Sequence, residues 1–117
     1  MNITCGIDII EVHRVEEAIE KFDERFLNRI YTDLEKTYCN SRDNRYQHFA
    51  ARFAAKEAVF KALPFDKIAF KKIQIINDKS GAPRVTVKDR RAEGLEFKIS
   101  LSHTKNFAQA VVLVYKK

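Results

Sequence analysis

The stretch 52-RFAAKEAVFKAL-63 decides how the rest of the chain is read. At about 100° per residue it winds as a helix, and Pro64 stops it. Ala51, Ala54, Ala55, Ala58 and Ala62 then share one side, which permits close packing against another element. Phe49, Phe53 and Phe60 lie nearly opposite. Val59 and Leu63 stand near Arg52 and Lys56, while Glu57 and Lys61 fall between the aromatic and alanine sides. Apolar surface therefore flanks the charges in both directions. Buried charges are costly unless paired or bound to an ion. Three readings stay open. Glu57 and Lys61 have the i,i+4 order of an internal pair. Long stems can snorkel to water. Or the helix carries a site for an anion plus a cation, with Arg52, Lys56 and Lys61 on phosphate oxygens and Glu57 on a metal.

Upstream, "NITCGIDII" reads as a strand. Ile3, Cys5, Ile7 and Ile9 share one face, and Thr4, Gly6, Asp8 and Ile10 the other. "EVHRVEEAIEKF" has Val12, Val15, Ile19 and Phe22 at helical spacing. "ERFLNRIY" predicts a further short helix. "TDLEKTYC" opens with Thr32 and Glu35 in capping-box spacing. The polar joint "NSRDN" leads into the long helix, expected from about Arg45 to Leu63. Downstream the period changes to two. "FKKIQIIND" and "RVTVKD" alternate around the turn "KSGAP". "EFKISLSHT" and "AQAVVLVYK" predict two more strands joined by "KNF". One strand, several helices and an antiparallel run of strands make an α+β pattern, with residues 1–117 forming a single domain.

Two further polar residues sit in apolar sequence. Asp8 lies among Ile7, Ile9 and Ile10. It can cap the next helix or ligate a hard cation, with Gly6 leaving room on its face. Mg²⁺ takes one or two protein carboxylates plus phosphate oxygens and waters, and Asp8 with Glu57 supplies that number. In "FKISLSHT", Phe97, Ile99, Leu101 and His103 share a face, and Ser100, Ser102 and Thr104 take the other. His103 ends the strand, as a structural or a solvent-reaching group.

Composition narrows the partners. With 117 residues the chain is one ordinary domain; a site needing two deep walls can borrow one from another subunit. The net charge of +6 and pI near 9.4 favour an anionic partner. Helix-turn-helix, zinc-finger and RNP signatures are missing, which argues against nucleic acid. No apolar run approaches the roughly 20 residues of a membrane span, and "MNITCGIDII" has no basic leader. Cys5 and Cys39 read as reduced thiols. The expectation is a soluble cytoplasmic protein.

Taken together, the segments resemble the compact holo-[acyl-carrier-protein] synthase family of 4'-phosphopantetheinyl transferases. "GIDIIEVHRV" is similar to its Gly-x-Asp-Ile motif followed by an Arg, and "RFAAKEAVFKAL" to its central signature. "NDKSGAP" is similar to its Asn-Asp-x-x-Gly-x-Pro turn, and "SLSHTKNFAQAVV" to its C-terminal strand. The resemblance implies the family's fold and its reaction. The 4'-phosphopantetheine arm of coenzyme A moves to a serine of apo-acyl carrier protein, in fatty acid biosynthesis, and adenosine 3',5'-bisphosphate leaves. It implies a homotrimer with coenzyme A between subunits. It also implies that Asp8 and Glu57 ligate Mg²⁺, Lys61 stabilises or protonates the leaving group, and Glu57, directly or through a metal-bound water, serves as base for the incoming serine. Arg52, Lys56 and His103 match positions that hold coenzyme A phosphates, and Ser102 and Thr104 belong to the same motif. Arg14, and more loosely Arg25 and Arg29, match basic residues that grip the acidic carrier protein. An alternative is a homologue that binds coenzyme A or carrier protein without turnover. Two departures stand out. Thr4 occupies the first glycine position of the opening motif, and "PFDKIAF" replaces a Gly-Thr-Gly loop after Leu63.

Overall fold

The computed structural model describes residues 2–117. β1 (Ile3–Glu11) leads into α1 (Val12–Phe22), α2 (Glu24–Ile30), α3 (Asp33–Asn40) and the long α4 (Arg45–Ala62). Then come β2 (Ile73–Asn77), β3 (Pro83–Val87), β4 (Leu95–His103) and β5 (Phe107–Lys116). The expected order of elements holds, with one difference in how they pair. The strands of the second half do not form one sheet. β1 pairs antiparallel with β5, which pairs with β4, so the first and last strands are neighbours. β2 and β3 stand apart as a two-stranded hairpin.

α4 is the pillar of the molecule. Its alanine side lies on the sheet, with Ala54, Ala55, Ala58 and Ala62 almost fully buried. Gly6 makes the approach possible. A Cβ at that position would stand 1.9 Å from the Ala58 carbonyl oxygen. Thr4 then gains a role in place of the expected glycine. Its hydroxyl donates to the Ala62 carbonyl at 2.5 Å, satisfying one of the orphan acceptors at the helix end.

Two apolar clusters fill the space around α4. Val12, Val15, Ile19, Leu27, Tyr31 and Phe49 join its first half to α1 and α2. Val59, Ile73, Ile75, Val112 and Val114 join its second half to the hairpin and the sheet. The Thr32–Glu35 capping box forms as its spacing predicts.

The sheet's other face is bare. The alternation predicted for β1 holds, but its apolar side is the one left in water. Ile3, Ile7 and Ile9 are 55%, 53% and 61% exposed. Ile7 pairs with Val111 and Cys5 with Leu113, both also exposed. Among the described residues, no helix is long and apolar enough to cross a membrane.

Candidate active site

β1 and α4 bring three of the predicted residues together. The Lys61 ammonium lies 3.3 Å from Asp8 Oδ1 and 2.8 Å from the Ile7 carbonyl. Asp8 and Glu57 both line a cavity of about 390 Å³, with Arg14, Phe26 and Phe53 on its walls. Burial, and then the negative charge of Asp8, push the Glu57 carboxyl above its ordinary range; Lys61 opposes this. Two carboxylates thus share one hollow, and none of the described ion pairs or hydrogen bonds engages Glu57. Asp8 does not cap α1, whose N-cap position is Glu11.

Arg14 opens onto this cavity, while Arg25 and Arg29 do not. They flank a second cleft of about 250 Å³ with Phe22 and Phe26. Phe26 lines both hollows.

Arg52 serves a different side of α4. It stands about 140° from Glu57 around the helix and is only 2% exposed. Its guanidinium carbon lies 4.4 Å from the centre of the Tyr38 ring, and its Nε has no hydrogen-bond partner among the described residues. It lines two adjoining cavities of about 240 and 450 Å³, which share Tyr38, Asn77 and Gly81. His103 lines the smaller one, with its Nδ1 2.9 Å from Gln47 Oε1. Neither cavity shares a residue with the Asp8–Glu57 hollow.

Three of the expected coenzyme A ligands stand away from the Arg52 cavities within one chain. Lys56 is not a phosphate ligand in this structure. It is fully buried, and Glu35 Oε1 and the carbonyls of Ile30, Phe70 and Ile73 surround its ammonium at 2.6–3.0 Å. No donor remains to reach an anion. Ser102 is exposed and pairs with Gln109 in the sheet, so it points away from the face that His103 shares with α4. The Thr104 hydroxyl accepts the N–H groups of Phe107 and Asn106, which closes the β4–β5 turn. Within one chain, neither Ser102 nor Thr104 lines the Arg52 cavities.

Other residues around Arg52 were not singled out by sequence. Tyr38, His48 and Asn77 line its cavities, as do Arg42 and Lys79. The "NDKSGAP" turn held a signal for Asn77. There Asp78 accepts from Ser80, Ala82 and Arg84 and shapes the turn, while Gly81 takes a φ of 88°. Tyr38 had no such signal. The segment after Leu63 is held by side chains instead of glycines. Arg91 lies over the Phe65 ring at 4.2 Å and donates to the Asp66 and Lys67 carbonyls, with Asp89 as its ion-pair partner.

Comparisons with known proteins give the family and the fold. The family model described as "4'-phosphopantetheinyl transferase superfamily" matches residues 4–112. The chain is 42% identical over 116 residues to holo-[acyl-carrier-protein] synthase of Halothermothrix orenii, covering 92% of this chain and 93% of that one. Among solved structures, Helicobacter pylori holo-[acyl-carrier-protein] synthase in complex with coenzyme A superposes with a TM-score of 0.85 at 31% identity, covering 95% of this chain and 99% of that one. The Bacillus anthracis synthase in complex with CoA (3',5'-ADP) gives 0.83 at 32% identity, covering 97% and 96%. By its sequence match over nearly its whole length and by its fold, this chain belongs to the 4'-phosphopantetheinyl transferase superfamily.

Proposed function

We propose that this protein is a holo-[acyl-carrier-protein] synthase, acting in the cytoplasm. It moves 4'-phosphopantetheine from coenzyme A to a serine of apo-acyl carrier protein and releases adenosine 3',5'-bisphosphate. One observation carries the reading beyond the relatives' names. Asp8 and Glu57 converge on one hollow, with Lys61 bound to Asp8.

The donor set fits Mg²⁺. Two carboxylates line one hollow there, and no group of three or more His, Cys, Asp or Glu side chains that could hold a metal exists among the described residues. An ion that completes its shell from phosphate and water suits two protein ligands better than a full protein cage does. Asp8 and Glu57 would hold it, and when bound it supplies charge neutralisation at the coenzyme A pyrophosphate.

The chain's own residues supply the rest. Glu57, beside Asp8 in the hollow, takes the proton of the serine hydroxyl. The serine oxygen forms a bond to the phosphorus of the pantetheine phosphate as the bond to the bridging oxygen breaks. Lys61 sits one turn from Glu57 and meets the negative charge on the departing bisphosphate. Arg52 and His103 hold phosphates of the nucleotide end. Arg14, Arg25 and Arg29, with Phe22 and Phe26 between them, receive the acidic carrier protein.

The two halves of the site face opposite sides of α4 in one chain. A homotrimer, in which the Asp8 half of one subunit meets the Arg52 half of the next, resolves this. The exposed apolar face of β1 and β5 supports that assembly. Ser102, and Thr104 beside it, are then free to meet coenzyme A held mainly by the adjoining subunit.

The test is a mass measurement. Apo-carrier protein incubated with the protein, coenzyme A and Mg²⁺ gains one phosphopantetheine, and a chelator of divalent ions blocks the gain. A carrier of unchanged mass, beside a working synthase, removes the proposal and favours a binding homologue without turnover.

A further inference from the structure

We propose that Tyr38 is a positioning residue, its ring holding Arg52 and, through His48, His103 in place for a nucleotide phosphate. The inference rests on the transferase reading above. It starts from an unusual guanidinium. Arg52 is almost fully buried, has no carboxylate among the described ion pairs, and leaves its Nε without a hydrogen-bond partner among the described residues. A buried cation of this kind needs some other support.

Tyr38 provides it. Its ring has the Arg52 guanidinium at 4.4 Å and the Arg42 guanidinium at 4.7 Å. Arginine over an aromatic face is drawn to the negative π cloud. One ring therefore holds two like charges near one pair of cavities. The His48 ring meets Tyr38 edge-on, with centroids 5.5 Å apart, and stands 5.0 Å from the His103 ring. Burial, and then the charges of His103, Arg52 and Arg42, push the His48 imidazole down to about 4. At neutral pH it is a neutral spacer between Tyr38 and His103.

The ring itself is anchored. Its hydroxyl accepts from Asn77 Nδ2 at 3.0 Å, which ties α3 to the end of β2. Tyr38 lines both Arg52 cavities. A ligand entering either one meets a cation already oriented, so less freedom is lost on binding.

The experiment compares the full-length protein with Tyr38→Leu and Tyr38→Phe. Binding of adenosine 3',5'-bisphosphate is followed by calorimetry, and KM and kcat for coenzyme A by steady-state rates. Tyr38→Leu weakens bisphosphate binding and raises KM by about tenfold, with kcat within about twofold, as loss of a desolvated cation–π contact predicts. Tyr38→Phe keeps the ring and recovers most of the lost affinity. Combined with Arg52→Ala, Tyr38→Leu adds little further loss, because it acts through the guanidinium. Should Tyr38→Leu fail to fold, Tyr38→Met carries the same comparison. Normal binding and KM in the leucine variant overturn the inference, as does a fall in kcat alone. A wild-type protein that binds no bisphosphate overturns the transferase reading beneath it.

Discussion

Four charged residues of α4 share one sequence motif, yet they do different work. Glu57 lines the hollow of Asp8, Lys61 binds Asp8, Arg52 lines the cavities beside Tyr38, and Lys56 reaches none of these. Lys56 ties α4 to α3 through Glu35, whose other oxygen accepts the Ile75 N–H at 2.7 Å. Removing either partner leaves the other charge buried alone. Lys56→Met and Glu35→Gln are each expected to cost about 3–5 kcal/mol, read as a lower urea midpoint. Replacing both does not restore stability, since the carbonyls around Lys56 lose their donor and a glutamine offers one acceptor oxygen where Glu35 uses two, for Thr32 and Ile75. His48 gives the residue scale a pH dependence. In the unfolded chain its imidazole takes a proton near 6.5, and in the fold only near 4. Between those values the unfolded state binds more protons, so stability falls as the pH drops through that window. The melting temperature of His48→Phe should fall less over the same range. Asp8, Glu57 and Lys61 were legible as candidates because their polarity conflicts with local apolar patterning. The role of Lys56 was not. Three of its four partners are backbone carbonyls, which every residue carries, and the fourth lies 21 positions away.

At the scale of elements, the site depends on how closely α4 approaches β1. Asp8 and Lys61 meet because Gly6 lets the two backbones nearly touch. Gly6→Ala puts a methyl group against the Ala58 carbonyl, and backbone atoms cannot rotate aside. The expected loss is about 3 kcal/mol, the upper range for overpacked cores. Turnover should fall with it, as β1 is lifted and Asp8 moves from Lys61. A melting curve and a rate measurement on the same sample check both effects. The elements themselves were readable from periodicity and from Thr32, Gly81 and Pro64. Their pairing was not. β1 joins β5 across about a hundred residues, and nothing local marks such a partner. The β2–β3 hairpin, closed by a turn of a few residues, left a direct mark in "KSGAP".

At the scale of the molecule, one chain holds two separate groups of candidate site residues and, among the described residues, one exposed apolar face. Ile7 and Val111 pair at the middle of that face, both exposed. A single fold keeps such a surface only at a cost in solubility, and a homotrimer removes the cost by burying it. Ile7→Glu places a charge there without touching the core. Light scattering should then give the mass of one 13.6 kDa chain in place of three, and transfer activity should vanish although Asp8, Glu57 and Arg52 are unchanged. Loss of activity alone leaves the location of the site open, so a second measurement is needed. Asp8→Asn and Arg52→Ala are each expected to be nearly inactive. Unfolded together and refolded, they form mixed trimers. If each site takes Asp8 from one subunit and Arg52 from its neighbour, about a quarter of the sites regain both wild-type residues by random assortment. Activity should rise towards that fraction. No recovery would mean that each chain carries its whole site, and that the bare face serves another purpose.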